Sequence, residues 1–327
     1  MSQLGPNTSL SLSARLVCYL GPPAVVLLTY FGSPKTALIA PITFLPTFYF
    51  LRKWRQSVEN DPSRNNELEP LVWTFAAMGT FGLAAVAAIQ GAGLWILSRL
   101  VLPSAFQRES YFEEFGRHTI NNLTPDELAY RLALSRSWQN WALISAFTFV
   151  LAGPAEEGLK YMPVAFARRR QAQRKDQLQK DIYLDYASAG GLSFGAIENI
   201  GFLYGAIAHN QETGLRLALT VAERLIFGGL GHSLTAALTA LRATRRDVYG
   251  QKLPWWSIVG PAAVLHGSFD FIAFACSTLE GNVGWIHPKK AVNQAVLLGL
   301  VCAVDGIAAW MVRREWRMIQ ELEKKKI

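Results

Sequence analysis

Cysteine is scarce in this chain of 327 residues: only Cys18, Cys276 and Cys302 occur. Each lies in or at the edge of an apolar run, and no two form a Cys-x-x-Cys pattern. That excludes a disulfide framework and a thiol redox motif, and leaves three small hydrophobes. Internal repeats and low-complexity tracts are also missing. The net charge is +8, but no single basic patch carries it, which argues against nucleic-acid binding. The start of the chain lacks a basic segment, short apolar core and small-residue cleavage site, so the first apolar run is expected to be a retained helix. No retrieval or lipidation signal stands at the other end.

What is abundant is apolar sequence. Hydrophobic residues make up 51 % of the chain, gathered in blocks of about twenty, the length that crosses a bilayer core. Eight blocks are expected to be helices: 14–31, 36–51, 71–98, 138–167, 182–208, 215–241, 254–276 and 291–312. The fold class is therefore all-α, a polytopic transmembrane bundle of about eight helices. Residues 1–327 read as one integral membrane domain, with a catalytic bundle over 138–276. Gly21-Pro22-Pro23 interrupts the first block, and Pro41 and Pro46 the second. With the N-terminus in the cytosol, 21 Lys and Arg fall in cytosolic segments and 9 on the other side, so both termini are expected to be cytosolic. The long connection 99–137 is then non-cytosolic. It contains Thr124-Pro125-Asp126-Glu127, a helix start with a capping threonine.

Four blocks carry ionisable residues where a membrane would be. Such a residue costs ~2.5–3.5 kcal/mol on insertion scales and is a functional-site hypothesis by default. Glu156 and Glu157 lie four and three residues before Lys160, within reach of it on one helix. Pro154 just before them is expected to bend or restart the helix. Glu198 and Asn199 follow on the next block, His232 on the next, and His266 and Asp270, four apart, on the one after. Counting 1.5 Å per residue from the cytosolic ends places Glu157, His232, His266 and Glu198 at ~16, ~15, ~18 and ~24 Å. Two imidazoles and a carboxylate make a three-ligand zinc site with an open position, so Glu198, His232 and His266 are the candidate ligands. Asp270 is placed to join them or to orient His266, and Asn199 is a further candidate to support or replace a ligand. A carboxylate outside the ligand set would take a proton from water. The same residues also suit an ion- or proton-coupled transporter, or a scaffold with buried ion pairs. No matching pair of broken segments in the two halves supports a repeat-built transporter. Glu223, Arg224 and Asp305 read as structural.

Glu156-Glu157-Gly-Leu-Lys160, Phe194-Gly-Ala-Ile-Glu198-Asn199 and the downstream His232 resemble the EExxK, FxxxEN and histidine motifs of the PrsW family of intramembrane metalloproteases. His266-Gly-Ser-Phe-Asp270 is similar to the HxxxN/D motif of the related CAAX prenyl endopeptidase and bacteriocin-processing group. The resemblance covers residues 150 to 275. It implies a metal-dependent endopeptidase that cuts a membrane protein substrate within or near the bilayer. By similarity Glu156 is the water-activating base, and Glu157 and Lys160 support it. Glu198 stands where the prenyl endopeptidases have histidine, which argues against carrying their prenylated substrates over to this chain. Substrate, organelle and oligomeric state are not readable.

Overall fold

Prolines and glycines decide how the apolar runs become helices. The computed structural model describes residues 10–60, 62–117, 119–173, 179–209 and 214–325, and all regular structure among them is helical. The principal helices are α1 (Leu12–Gly32), α2 (Leu45–Asn60), α3 (Leu68–Val101), α4 (Ala105–Gly116), α5 (Pro125–Arg136), α6 (Trp138–Gln173), α7 (Lys180–Tyr204), α8 (214–247), α9 (Trp255–Thr278) and α10 (Ala291–Lys324). Helix α1 runs unbroken through Pro22 and Pro23. Four helices contain or end in π turns: Met78–Gly82 in α3, Phe147–Ala152 in α6, Gly205–His209 after α7 and Glu223–Gly228 in α8.

Five helices, α1, α3, α6, α9 and α10, are long and apolar enough to cross a membrane. Much of their apolar surface is exposed, with Leu28 at 70 % and Leu100 at 78 %, as suits helices in lipid. The expected total of about eight is not reached on this measure, for two physical reasons. The block 36–51 is not one helix. Pro41 and Pro46 divide it into Pro34–Ile39, a 3-10 turn Ala40–Phe44 and the start of α2. At 16 residues α2 spans about 24 Å, short of a bilayer core of ~30 Å. Helices α7 and α8 have the length, but glycine, serine, threonine and charge dilute their apolarity. Helix α7 has no need of it, because Tyr186, Gly190, Gly191, Phe194 and Leu203 are all buried in protein.

The chain divides into two compact units, Met1–Leu83 with Lys160–Gly250, and Ala84–Leu159 with Gln251–Ile327. In the first unit α7 is the central helix and its most extensive partner is the Gly229–Asp247 part of α8. Ala196 and Ile200 of α7 form a core with Ala40 and Phe44. One end of this unit is closed by polar bonds: Tyr186 donates to Glu67 at 2.6 Å, Arg170 pairs with Glu67 at 3.1 Å, and Arg64 pairs with Asp185.

The second unit is built on aromatic packing. Phe115, Phe147, Phe274 and Trp285 meet at centroid distances of 5.1–6.1 Å. Beneath them Arg131 is 1 % exposed. It pairs with Glu114 and donates to the carbonyls of Glu114 at 2.9 Å and Val283 at 2.6 Å. The connection 99–137 therefore holds two packed helices. The helix start anticipated at Thr124 is present, with a full capping box.

Candidate active site

Proline 154 has no N–H for the carbonyl four residues back, and its ring needs room there. The π turn Phe147–Ala152 supplies that room directly upstream. Gly153–Lys160 then follows in α geometry with both carboxylates on it. Small residues bring α6 against α9. A Cβ on Gly153 would lie 2.3 Å from the Ala263 carbonyl oxygen, and one on Gly267 would lie 2.8 Å from that of Thr148. With the backbones that close, His266, next to Gly267, reaches the glutamates.

In the second unit His266 is the centre of a carboxylate cluster. Its Nδ1 lies 2.9 Å from Glu157 Oε1. Its Nε2 lies 3.1 Å from Glu156 Oε2 and 3.5 Å from Asp270 Oδ2. Glu157 is fully buried and Glu156 nearly so. An ionised Glu157 accepts the Nδ1 proton, which leaves Nε2 of the neutral ring bare and facing the other two carboxylates. Gln90 of α3 donates to Glu156 Oε1 at 2.9 Å. Sequence reasoning missed Gln90. The signal was there: a lone carboxamide in a block of Gly, Ala and Leu is costly for the same reason a charge is.

In the first unit His232 is held in the same manner. Lys160 Nζ lies 2.7 Å from its Nδ1, and its Nε2 is 3.0 Å from Glu198 Oε2. Gly195 makes this possible, since a Cβ there would lie 2.8 Å from His232 Cδ2. Phe194 walls the pair, with its ring 5.9 Å from the imidazole and 4.9 Å from Lys160 Nζ. The tautomer logic differs from that at His266. An ammonium can only donate, so a charged Lys160 makes Nδ1 the acceptor and leaves the ring proton on Nε2, toward Glu198. A metal at Nε2 requires Lys160 as a neutral amine that accepts from Nδ1–H. Asn199 is buried, with Oδ1 beside Gly228. Arg224 lies 3.4 Å over the Phe202 ring, and Glu223 is buried in the π turn of α8.

The donor sets, imidazole nitrogen and carboxylate oxygen, fit a divalent metal in kind. Neighbouring ligands on a tetrahedral zinc, with bonds of ~2.0–2.2 Å, stand roughly 3.3–3.5 Å apart. The imidazole-to-carboxylate distances at the two Nε2 atoms are 3.0, 3.1 and 3.5 Å. Residues 70–304 match a family described as PrsW family intramembrane metalloprotease. The chain belongs to that family. No curated protein and no solved structure matches it. The PrsW match is wider than the motif-bearing stretch 150–275. It takes in most of α3, and Gln90 with it, and ends one residue before the buried Asp305 of α10. Membership makes the protein an integral membrane protease.

Proposed function

We propose that this PrsW-family protein hydrolyses a peptide bond of a membrane protein substrate, using a zinc ion held by His232, His266 and Glu198. The observation that carries the reading is the common arrangement of the two histidines. Each has Nδ1 beside a buried polar side chain, Glu157 or Lys160, and Nε2 facing a carboxylate, with Lys160 the neutral amine when His232 holds the metal. Zinc when bound supplies Lewis acidity and lowers the pKa of water to ~7. Glu156 receives the water proton and passes it to the leaving amine. Gln90 keeps one oxygen of Glu156 occupied and leaves the other for that transfer. Glu157 fixes the His266 ring, Lys160 fixes the His232 ring, and Asp270 orients or supplements the ligands. The buried setting keeps bulk water from competing for these groups.

The membrane frame proposed with this function has about eight crossings, with the broken segment Pro34–Asn60 counted as one of them, both termini cytosolic, the connection 99–137 on the far side, and the catalytic bundle within 138–276. A transporter or a non-catalytic scaffold is the competing class. Metal content of the purified protein and cleavage of a membrane substrate by the Glu156→Gln variant separate these readings. With His232, His266 and Glu198 as ligands, the protease retains metal in this variant and loses cleavage by at least 100-fold. Solute flux with no cleavage by the parent favours the transporter.

The contact of Lys160 with His232 Nδ1 favours a second ligand set. In it His266, Glu156 and Asp270 hold the metal, while Lys160, His232 and Glu198 carry protons. His232→Ala decides: metal is lost under the first set and retained, with cleavage lost, under the second.

A further inference from the structure

The connection 99–137 carries one motif that the metal chemistry leaves unused. Asn122-Leu123-Thr124 is an acceptor triplet for N-glycosylation, an asparagine two residues before a hydroxyl with no proline between them. Triplets of this kind are common, so its placement is what counts. Asn122 is exposed, in a turn closed by the Leu123 N–H on the Ile120 carbonyl at 3.3 Å. Asn121 before it and residues 124–130 after it are exposed too, so a bulky substituent there meets solvent rather than packed chain. Helix α4 stands in the chain between this turn and Val101, and α5 between it and Trp138. At 12 residues each these helices are about 18 Å long, enough for the turn to clear the bilayer. The turn also has a firm base, because Arg131 of α5 is buried against Glu114 of α4. The charge distribution puts the connection on the non-cytosolic side, where such transfer takes place. A second triplet, Asn7-Thr8-Ser9, falls on the cytosolic side of the same frame and outside the described residues.

We propose that Asn122 is a glycosylation site, modified on the far side of the membrane by transfer from a lipid-pyrophosphate oligosaccharide. The Asn122 carboxamide nitrogen forms a bond to the anomeric carbon of the first sugar and gives up one proton to solvent. The bond from that carbon to the pyrophosphate oxygen breaks, and the lipid pyrophosphate leaves. Thr124 serves twice. Its hydroxyl marks the triplet while the chain is still extended. It then caps α5, accepting from the Glu127 N–H at 3.3 Å and donating to Glu127 Oε2 at 2.8 Å. The sugar stands at the start of a helix whose Leu128 and Tyr130 are exposed, where a bulky, solubilising group shields apolar surface. The inference rests on the membrane frame and is independent of which residues hold the metal.

The test expresses the full-length protein in cells that N-glycosylate, with a secreted glycoprotein in the same cells as the check that transfer is working. Electrophoretic mobility is compared before and after digestion with peptide N-glycosidase, on membrane-inserted protein. The parent is expected to show one discrete shift. Asn122→Gln should lose it and Asn7→Gln should keep it. Thr124→Ser preserves the hydroxyl and the cap and should keep the shift, whereas Thr124→Ala should lose it. Glu127→Ala opens the cap but leaves the triplet whole and should keep the shift, which separates loss of the helix start from loss of the acceptor. Gln173→Cys, labelled with an impermeant reagent in the same cells, reads the frame by a separate route. If that cysteine reacts only from the cytosol and the parent shows no shift, or the shift survives Asn122→Gln, the acceptor assignment is wrong and the frame stands. If it reacts only from the far side, or Asn7 alone is modified, frame and acceptor fall together.

Discussion

At the scale of single residues, the chemistry rests on which nitrogen of each imidazole is held. Glu157 lies 2.9 Å from His266 Nδ1 and is fully buried, so its expected task is to fix the tautomer. Glu157→Gln keeps the shape but can present an amide donor to Nδ1, which favours the wrong tautomer. Metal affinity and cleavage are expected to fall together by about 10–100-fold, as for other groups that orient a ligand. Equilibrium dialysis with zinc and a cleavage assay on the same preparation check this. Unchanged affinity would remove the orienting role from Glu157. The type and order of these residues were legible in the sequence, because charge inside an apolar run is conspicuous. Their pairing was not. Spacing along the helix offered Lys160 as a partner for either glutamate, whereas contacts that matter here reach 109 residues to His266 and 72 residues from Lys160 to His232. Only tertiary packing decides between such options.

At the scale of elements, glycines fix how closely helices can approach. Gly153→Ala would place a methyl group 2.3 Å from the Ala263 carbonyl oxygen. Backbone cannot step aside as a flexible side chain does, so a loss of roughly 1–3 kcal/mol is expected. Thermal unfolding measures it, and the shift should exceed that of Gly260→Ala, where the added atom meets nothing within 4 Å. The capping box of α5 gives a pH-dependent prediction. The Thr124 N–H, then the Thr124 hydroxyl, holds the Glu127 carboxyl below its ordinary 4.5. A lowered folded value means the contribution is complete above 4.5 and drains away as pH falls through the folded value. Protection factors for hydrogen exchange in the first turn of α5, corrected for the intrinsic rate at each pH, should therefore fall as the pH drops below 4.5 in the parent, and Glu127→Gln should abolish the change. Most helix ends fell within a few residues of the apolar block ends, because charge and proline mark them. The block 36–51 reads as one kinked helix in the sequence, whereas Pro41 lies in a 3-10 turn and Pro46 near the start of a new helix. The two packed helices of the connection 99–137 were only half visible: Ser104 caps α4, but α4 presents no clear apolar stripe.

At the scale of the whole molecule, the charge distribution predicts orientation. With 21 Lys and Arg assigned to one side and 9 to the other, a cysteine placed at Gln173, which is exposed, should react with an impermeant reagent only from the cytosolic face. Labelling from the opposite face alone would reverse the frame, and with it the depths estimated for the site residues. The family match over residues 70–304 leaves α1 and α2 outside, so shortening the chain there should harm membrane stability more than chemistry. The π turns bear on a different matter. Each holds a surplus residue, so the chain's numbering runs ahead of its rotation by about 100° at every one. Two of them stand just upstream of Glu156 and His232. They act as phase shifters. Removing a single residue from Phe147–Ala152 would let the helix relax to a regular pitch and turn every later side chain by more than a quarter of a revolution. Glu156 and Glu157 would keep their order in the chain while changing the direction each one faces, so a one-residue deletion there should be more damaging than an alanine at either glutamate's neighbours.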